Sequence, residues 1–90
     1  MINSREAILL GILKSGPLTG AKLRRRYEEI VGPGSFSIRG AYVTFGRMIK
    51  KELIAVQAAE HGRYLFLTGS GLKALSEFTS MLIAHPEVAL

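Results

Sequence analysis

The order in which hydrophobic periodicity changes along this chain constrains its fold more than any other feature. Ser15-Gly16-Pro17 and Gly32-Pro33-Gly34 are helix stops. Between and around them apolar residues recur at helical spacing. The spacing predicts a first helix from about Arg5 to Lys14, capped by Asn3, with Glu6 three positions on as in a capping box. Ala7, Ile8, Leu9, Leu10, Ile12 and Leu13 leave it almost no polar face, so it must be covered on more than one side. Thr19 caps a second helix from about Gly20 to Val31, with Leu23, Tyr27 and Ile30 on one face. Ser35-Phe36-Ser37 reads as a very short strand.

A third helix from about Ile38 to Lys51 divides cleanly. Ala41, Phe45, Met48, Ile49 and Glu52 share one face; Arg39, Val43, Gly46, Arg47 and Lys50 share the opposite one, with Tyr42 at the boundary. The pattern then changes to β. Leu53–Ala58 and Arg63–Leu67 flank the turn Ala59-Glu60-His61-Gly62 and read as a hairpin. Thr68 caps a last helix to about Ala84, striped by Leu72, Leu75, Phe78, Thr79 and Leu82 and widened by Met81 and Ile83; His85-Pro86 ends it. The expected fold is mainly α with a small antiparallel β-hairpin, in the order α-α-α-β-β-α: a winged helix-turn-helix in one domain, 1–90, with 69–84 as a C-terminal dimerisation helix.

Several function classes lack their chemistry here. Without cysteine there is no disulfide framework or thiolate metal site. His61 and His85 are the only histidines, and no histidine–carboxylate spacing suggests zinc. Gly32-Pro33-Gly34 and Gly69-Ser70-Gly71 are glycine pairs without the lysine of a phosphate loop. No Ser-His-Asp set can be nominated, so the chain reads as no enzyme and as needing no cofactor. The N-terminus has no signal-peptide pattern, and the apolar stretch Ala7–Leu13 is far too short to span a bilayer. The expected setting is cytoplasmic, with no membrane partner.

Twelve Lys and Arg against seven Asp and Glu leave a net charge of +5, which favours polyanions. A helix that reads DNA keeps one face in the core and sends the other into the major groove. Arg39, near the start of the third helix, suits the paired acceptors of guanine; Arg47 and Lys50, further along the same side, suit phosphates. Val43 suits a thymine methyl, and Tyr42 either reaches a phosphate or packs inward. The same residues also fit a plain solvated face. His61 and Arg63 at the hairpin tip suit the DNA backbone or minor groove, although a solvent turn is the favoured reading for His61. Lys22, Arg24 and Arg25 suit flanking phosphates, with at least one of Arg24-Arg25-Arg26 expected to pair with Glu28 or Glu29.

Three segments carry a family likeness. Gly16-Pro17-Leu18-Thr19-Gly20-Ala21-Lys22-Leu23 resembles the opening of the second helix of PadR-type regulators. Ser37-Ile38-Arg39-Gly40-Ala41-Tyr42, with Phe45, Arg47, Met48, Leu53 and Ile54, is similar to their recognition helix; Arg63–Thr68 followed by Gly71-Leu72-Lys73-Ala74-Leu75 is similar to the end of their wing and the helix after it. Val43 stands where a proline is usual, Glu52 where a glycine closes the helix, and a single C-terminal helix replaces a larger C-terminal domain. The resemblance implies a compact dimeric repressor that binds double-stranded DNA through a face including Gly40, with a small-molecule effector among its possible partners. Apolar excess on the outer helices points to a homodimer joined by Ile8, Leu9, Ile12, Leu75, Phe78, Met81 and Leu82. Two alternatives remain open: a winged-helix module that docks on another protein, and a protein that organises plasmid or phage DNA.

Overall fold

A computed structural model describes residues 1–85. The elements run α1 (Ser4–Leu13), β1 (Leu18–Thr19), α2 (Gly20–Val31), α3 (Ile38–Lys50), β2 (Ile54–Ala59), β3 (Gly62–Leu67) and α4 (Gly69–Ala84). Helix starts follow local capping chemistry. The Asn3 side chain accepts from the Glu6 N–H at 2.8 Å, and Glu6 Oε1 accepts from the Asn3 N–H at 3.0 Å. Thr19, Ser37 and Thr68 cap α2, α3 and α4 from one side only, each side chain accepting the N–H three residues on. Glu6 is otherwise buried, and its second oxygen takes the Lys51 ammonium at 3.1 Å, which ties the start of α1 to the end of α3.

The sheet has one strand more than the hairpin. Its order is β1-β3-β2, antiparallel throughout, with Leu18 opposite Leu65 and Thr19 opposite Tyr64. A two-residue strand carries no period, so β1 was invisible in the sequence. Ala59 pairs with Gly62, which shortens the wing tip to Glu60-His61. Ser35-Phe36-Ser37 is not a strand. It belongs to the connection between α2 and α3, and Phe36 is drawn into the core at 1% exposure.

The core joins Ala7, Leu9, Leu10 and Leu13 of α1 to Leu23 and Tyr27 of α2, Ala41, Phe45 and Met48 of α3, and Leu53, Ile54 and Leu65. Phe36 lies between two rings, 4.7 Å from Tyr27 and 5.8 Å from Phe45 in an edge-on arrangement. Ile30, expected on the buried face of α2, is exposed because it lies one turn beyond Tyr27, where the core ends. Leu72 is exposed as well. The inner side of α4 runs through Gly71, Ala74, Leu75 and Phe78, so it keeps Leu75 and Phe78 of the expected stripe but is rotated away from Leu72 and Thr79. Gly71 sets that phase: a Cβ there would collide with the Leu53 carbonyl oxygen and the Leu67 side chain.

Glu52 does not continue the inner face of α3. It is exposed and occupies the left-handed position that ends the helix, at φ 62°. Its N–H donates to the Ile49 carbonyl at 2.9 Å, and the Leu53 N–H reaches back to the Met48 carbonyl at 3.0 Å. This is the double bond pattern of a Schellman cap, with the core residues Leu53 and Met48 at the two positions of its accompanying apolar pair. A non-glycine residue there costs about 1–2 kcal/mol, partly offset by the larger unfolded-state entropy of glycine. Glu52→Gly is therefore expected to raise stability by roughly 0.5–1 kcal/mol, read as a higher urea midpoint at unchanged slope. A lower midpoint would contradict the cap assignment.

Candidate nucleic-acid interface

Ser37 opens α3. Its hydroxyl accepts from the Gly40 N–H at 3.0 Å, so α3 starts sharply and Arg39 stands in its first turn. With valine at position 43 the helix runs unbroken from Ile38 to Lys50. The inner face is packed through Ala41, Phe45 and Met48. Arg39, Val43, Gly46, Arg47 and Lys50 are all exposed on the other side, Val43 at 49%. The thirteen residues of α3 include no carboxylate, and Arg39, Arg47 and Lys50 form no ion pair among the described residues. The outer face of α3 is thus cationic, unpaired and open to solvent.

Tyr42 is 56% exposed, yet its ring meets Phe45 edge-on at 5.8 Å. It also lies over the start of α2, where a Cβ on Gly20 would come within 3.1 Å of the ring. The ring packs inward while more than half of the residue stays exposed. Ile38, which the sequence reading did not nominate, is 63% exposed beside Arg39. Its signal was its place in the first turn, one residue from the cap.

The remaining candidates divide. Lys22, Arg25, His61 and Arg63 are exposed, the first two on α2 and the others on the wing. Arg24 is engaged within the fold. It pairs with Glu28 at 2.9 Å and donates to the Phe36 carbonyl at 3.0 Å, so it serves the α2–α3 connection. Of the expected pairing partners, Glu28 is the one used. Arg5 had not been nominated at all. Its guanidinium lies 4.8 Å from the Phe36 ring centre and donates to the Ser35 carbonyl at 3.2 Å. Between α3, the start of α2 and the wing lies a hollow of about 550 Å³ floored by Phe45, Ile49, Val56 and Leu65, with Arg63 and His61 among its lining residues.

The nominated dimerisation residues also separate. Ile8, Leu75, Phe78, Met81 and Leu82 line one apolar groove between α1 and α4. Leu9 is a correction: it is fully buried within the fold, because it points from α1 into the core, and it cannot meet a partner. Ile12 lines a different recess, with Pro17, Leu18 and Arg26. No helix among the described residues is long and apolar enough to cross a membrane. Pro86 lies outside the described residues.

The fold is shared with solved proteins over nearly the whole chain. A transcriptional regulator from Clostridium thermocellum superposes with a TM-score of 0.81 at 18% identity, covering 99% of this chain and 95% of its own. A PadR-like transcriptional regulator from Bacillus cereus gives 0.76 at 25% identity, covering 93% of this chain and 85% of its own. A winged-helix DNA-binding protein of STIV gives 0.68 at 21% identity, over 86% and 84%. No family model matches the sequence, and no curated protein does. The winged-helix fold expected from the motifs is the fold of this chain, and PadR-like transcriptional regulators are among its structural neighbours.

Proposed function

We propose that this chain is a sequence-specific, double-stranded DNA-binding transcriptional regulator that acts as a homodimer and represses its targets. The observation that carries the reading is the outer face of α3: Arg39, Val43, Arg47 and Lys50 stand exposed and unpaired on a helix whose other face is locked in the core. In this reading α3 enters the major groove. Arg39 reads a guanine, Val43 and Ile38 meet base edges, and Arg47 and Lys50 hold phosphates. Gly40 lets the first turn approach closely. Lys22, Arg25 and the Tyr42 hydroxyl meet the flanking backbone. Arg63, with His61 at the tip, brings the wing to the adjacent minor groove.

A second copy of the chain is the proposed cover for the apolar groove of Ile8, Leu75, Phe78, Met81 and Leu82. Ile83, exposed at the end of α4, extends that surface. Two-fold symmetry would then place two copies of α3 about one DNA turn apart. A small effector has room in the hollow between α3 and the wing, where it would compete with DNA.

Selection of bound fragments from random duplexes tests the whole reading. A roughly palindromic consensus with half-sites about 10 base pairs apart is expected; enrichment of no sequence would overturn it. On the selected duplex, Arg39→Ala is expected to cost about 1–3 kcal/mol and to relax preference at one base position. An unchanged consensus would remove Arg39 from base reading.

A further inference from the structure

We infer that Arg24 and Glu28 of α2 are positioning residues for DNA recognition, acting through the Phe36 peptide and not by touching DNA. The inference rests on the DNA-reading role proposed for α3. Arg24 Nη1 donates both to Glu28 Oε1 at 2.9 Å and to the Phe36 carbonyl oxygen at 3.0 Å. Glu28 Oε2 accepts from the Phe36 N–H at 3.3 Å. One ion pair therefore holds both backbone polar groups of a single residue. The next residue, Ser37, is the N-cap of α3, and Arg39 follows two positions later.

The clamp sits where a clamp is needed. The connection from 32 to 37 forms no helix or strand of its own; its internal bonds, from the Ser35 N–H and hydroxyl to the Gly32 carbonyl, stop short of the Phe36 peptide that leads into α3. Arg5 reaches the same connection from α1, through the Ser35 carbonyl at 3.2 Å and the face of the Phe36 ring. The Arg24 and Glu28 side chains are only 24% and 19% exposed, so their charge-assisted bonds are screened less than those of a surface pair. Base contacts are directional, whereas phosphate attraction is long-ranged. A small displacement of the start of α3 therefore weakens reading of the preferred site and leaves sequence-independent binding nearly untouched.

The test measures full-length protein against the selected duplex and a random-sequence duplex, over a salt series, for wild type, Arg24→Met and Glu28→Gln. Each variant is expected to lose about tenfold on the selected duplex, roughly the worth of one impaired base contact. Random-duplex affinity should hold or rise for Glu28→Gln and fall far less than tenfold for Arg24→Met, and the slope of log affinity against log salt should stay unchanged. Glu28→Gln is the sharper arm. It removes a negative charge, so electrostatics alone would raise affinity for both duplexes.

Circular dichroism sets a temperature at which each variant is folded, which separates mispositioning from unfolding. Parallel loss on both duplexes, with the slope for Arg24→Met falling by about 0.9, would show a phosphate contact and overturn the inference. So would an unchanged ratio of selected to random affinity in both folded variants. If wild type preferred no duplex, the failure would belong to the DNA-reading role itself and would show before any substitution.

Discussion

Phe36→Ala is expected to remove about 3–5 kcal/mol from the unfolding free energy, the range for truncating a fully enclosed phenylalanine. The ring is 1% exposed and touches three systems at once: Tyr27 of α2, Phe45 of α3 and the Arg5 guanidinium from α1. Truncation empties the place where these elements meet, and the rigid backbones around it cannot close the gap. A domain of this size has roughly 5–13 kcal/mol to lose, so the variant should melt far below wild type and be partly unfolded at growth temperatures. Phe36→Leu keeps most of the volume and should cost much less, near 1–1.5 kcal/mol. Urea unfolding at fixed protein concentration checks both, the fixed concentration being needed because a dimer gains stability by mass action. A loss below about 1 kcal/mol for Phe36→Ala would mean that the connection repacks freely around the gap.

Affinity for duplex DNA is expected to fall about 10³–10⁵-fold between roughly 50 and 200 mM salt, the response of a protein that neutralises six to ten phosphates. Lys22, Arg25, Arg47 and Lys50 are the exposed cations assigned to phosphate on each protomer, and a symmetric pair doubles them. Arg47→Ala should lower the salt slope by about 0.9 for each phosphate it no longer neutralises, while Arg39→Ala should change preference more than slope. Fluorescence anisotropy on one duplex at four salt concentrations is sufficient. A change of less than tenfold over that range would contradict the proposed cationic face and favour a docking module, whose binding surface need not be charged.

Much of this architecture could be read without coordinates because its determinants are local. Asn3, Thr19 and Thr68 start their helices where the sequence placed the starts. The breaks at Gly16-Pro17 and Gly32-Pro33 stop α1 and α2, and α3 shows its two faces through its own period. A cap or a period needs only residues within a few positions, so the chain alone suffices. The family likeness was legible for the same reason: its motifs are caps, breaks and face patterns in a set order.

What escaped the sequence was decided across long separations. β1 exists only because Leu18 meets Leu65. Phe36 is a core residue only because α1, α2 and α3 converge on it. Leu9 and Ile8 look alike in sequence, yet Leu9 fills the core and Ile8 lines the outer groove. The phase of α4 follows from the closeness of Gly71 to the Leu53 carbonyl, and the role of Arg24 follows from a peptide twelve residues away. Hydrophobic period and charge show which residues favour burial or water. Which of several equivalent residues obtains each place depends on close packing between elements, and that is set only when the whole chain is folded.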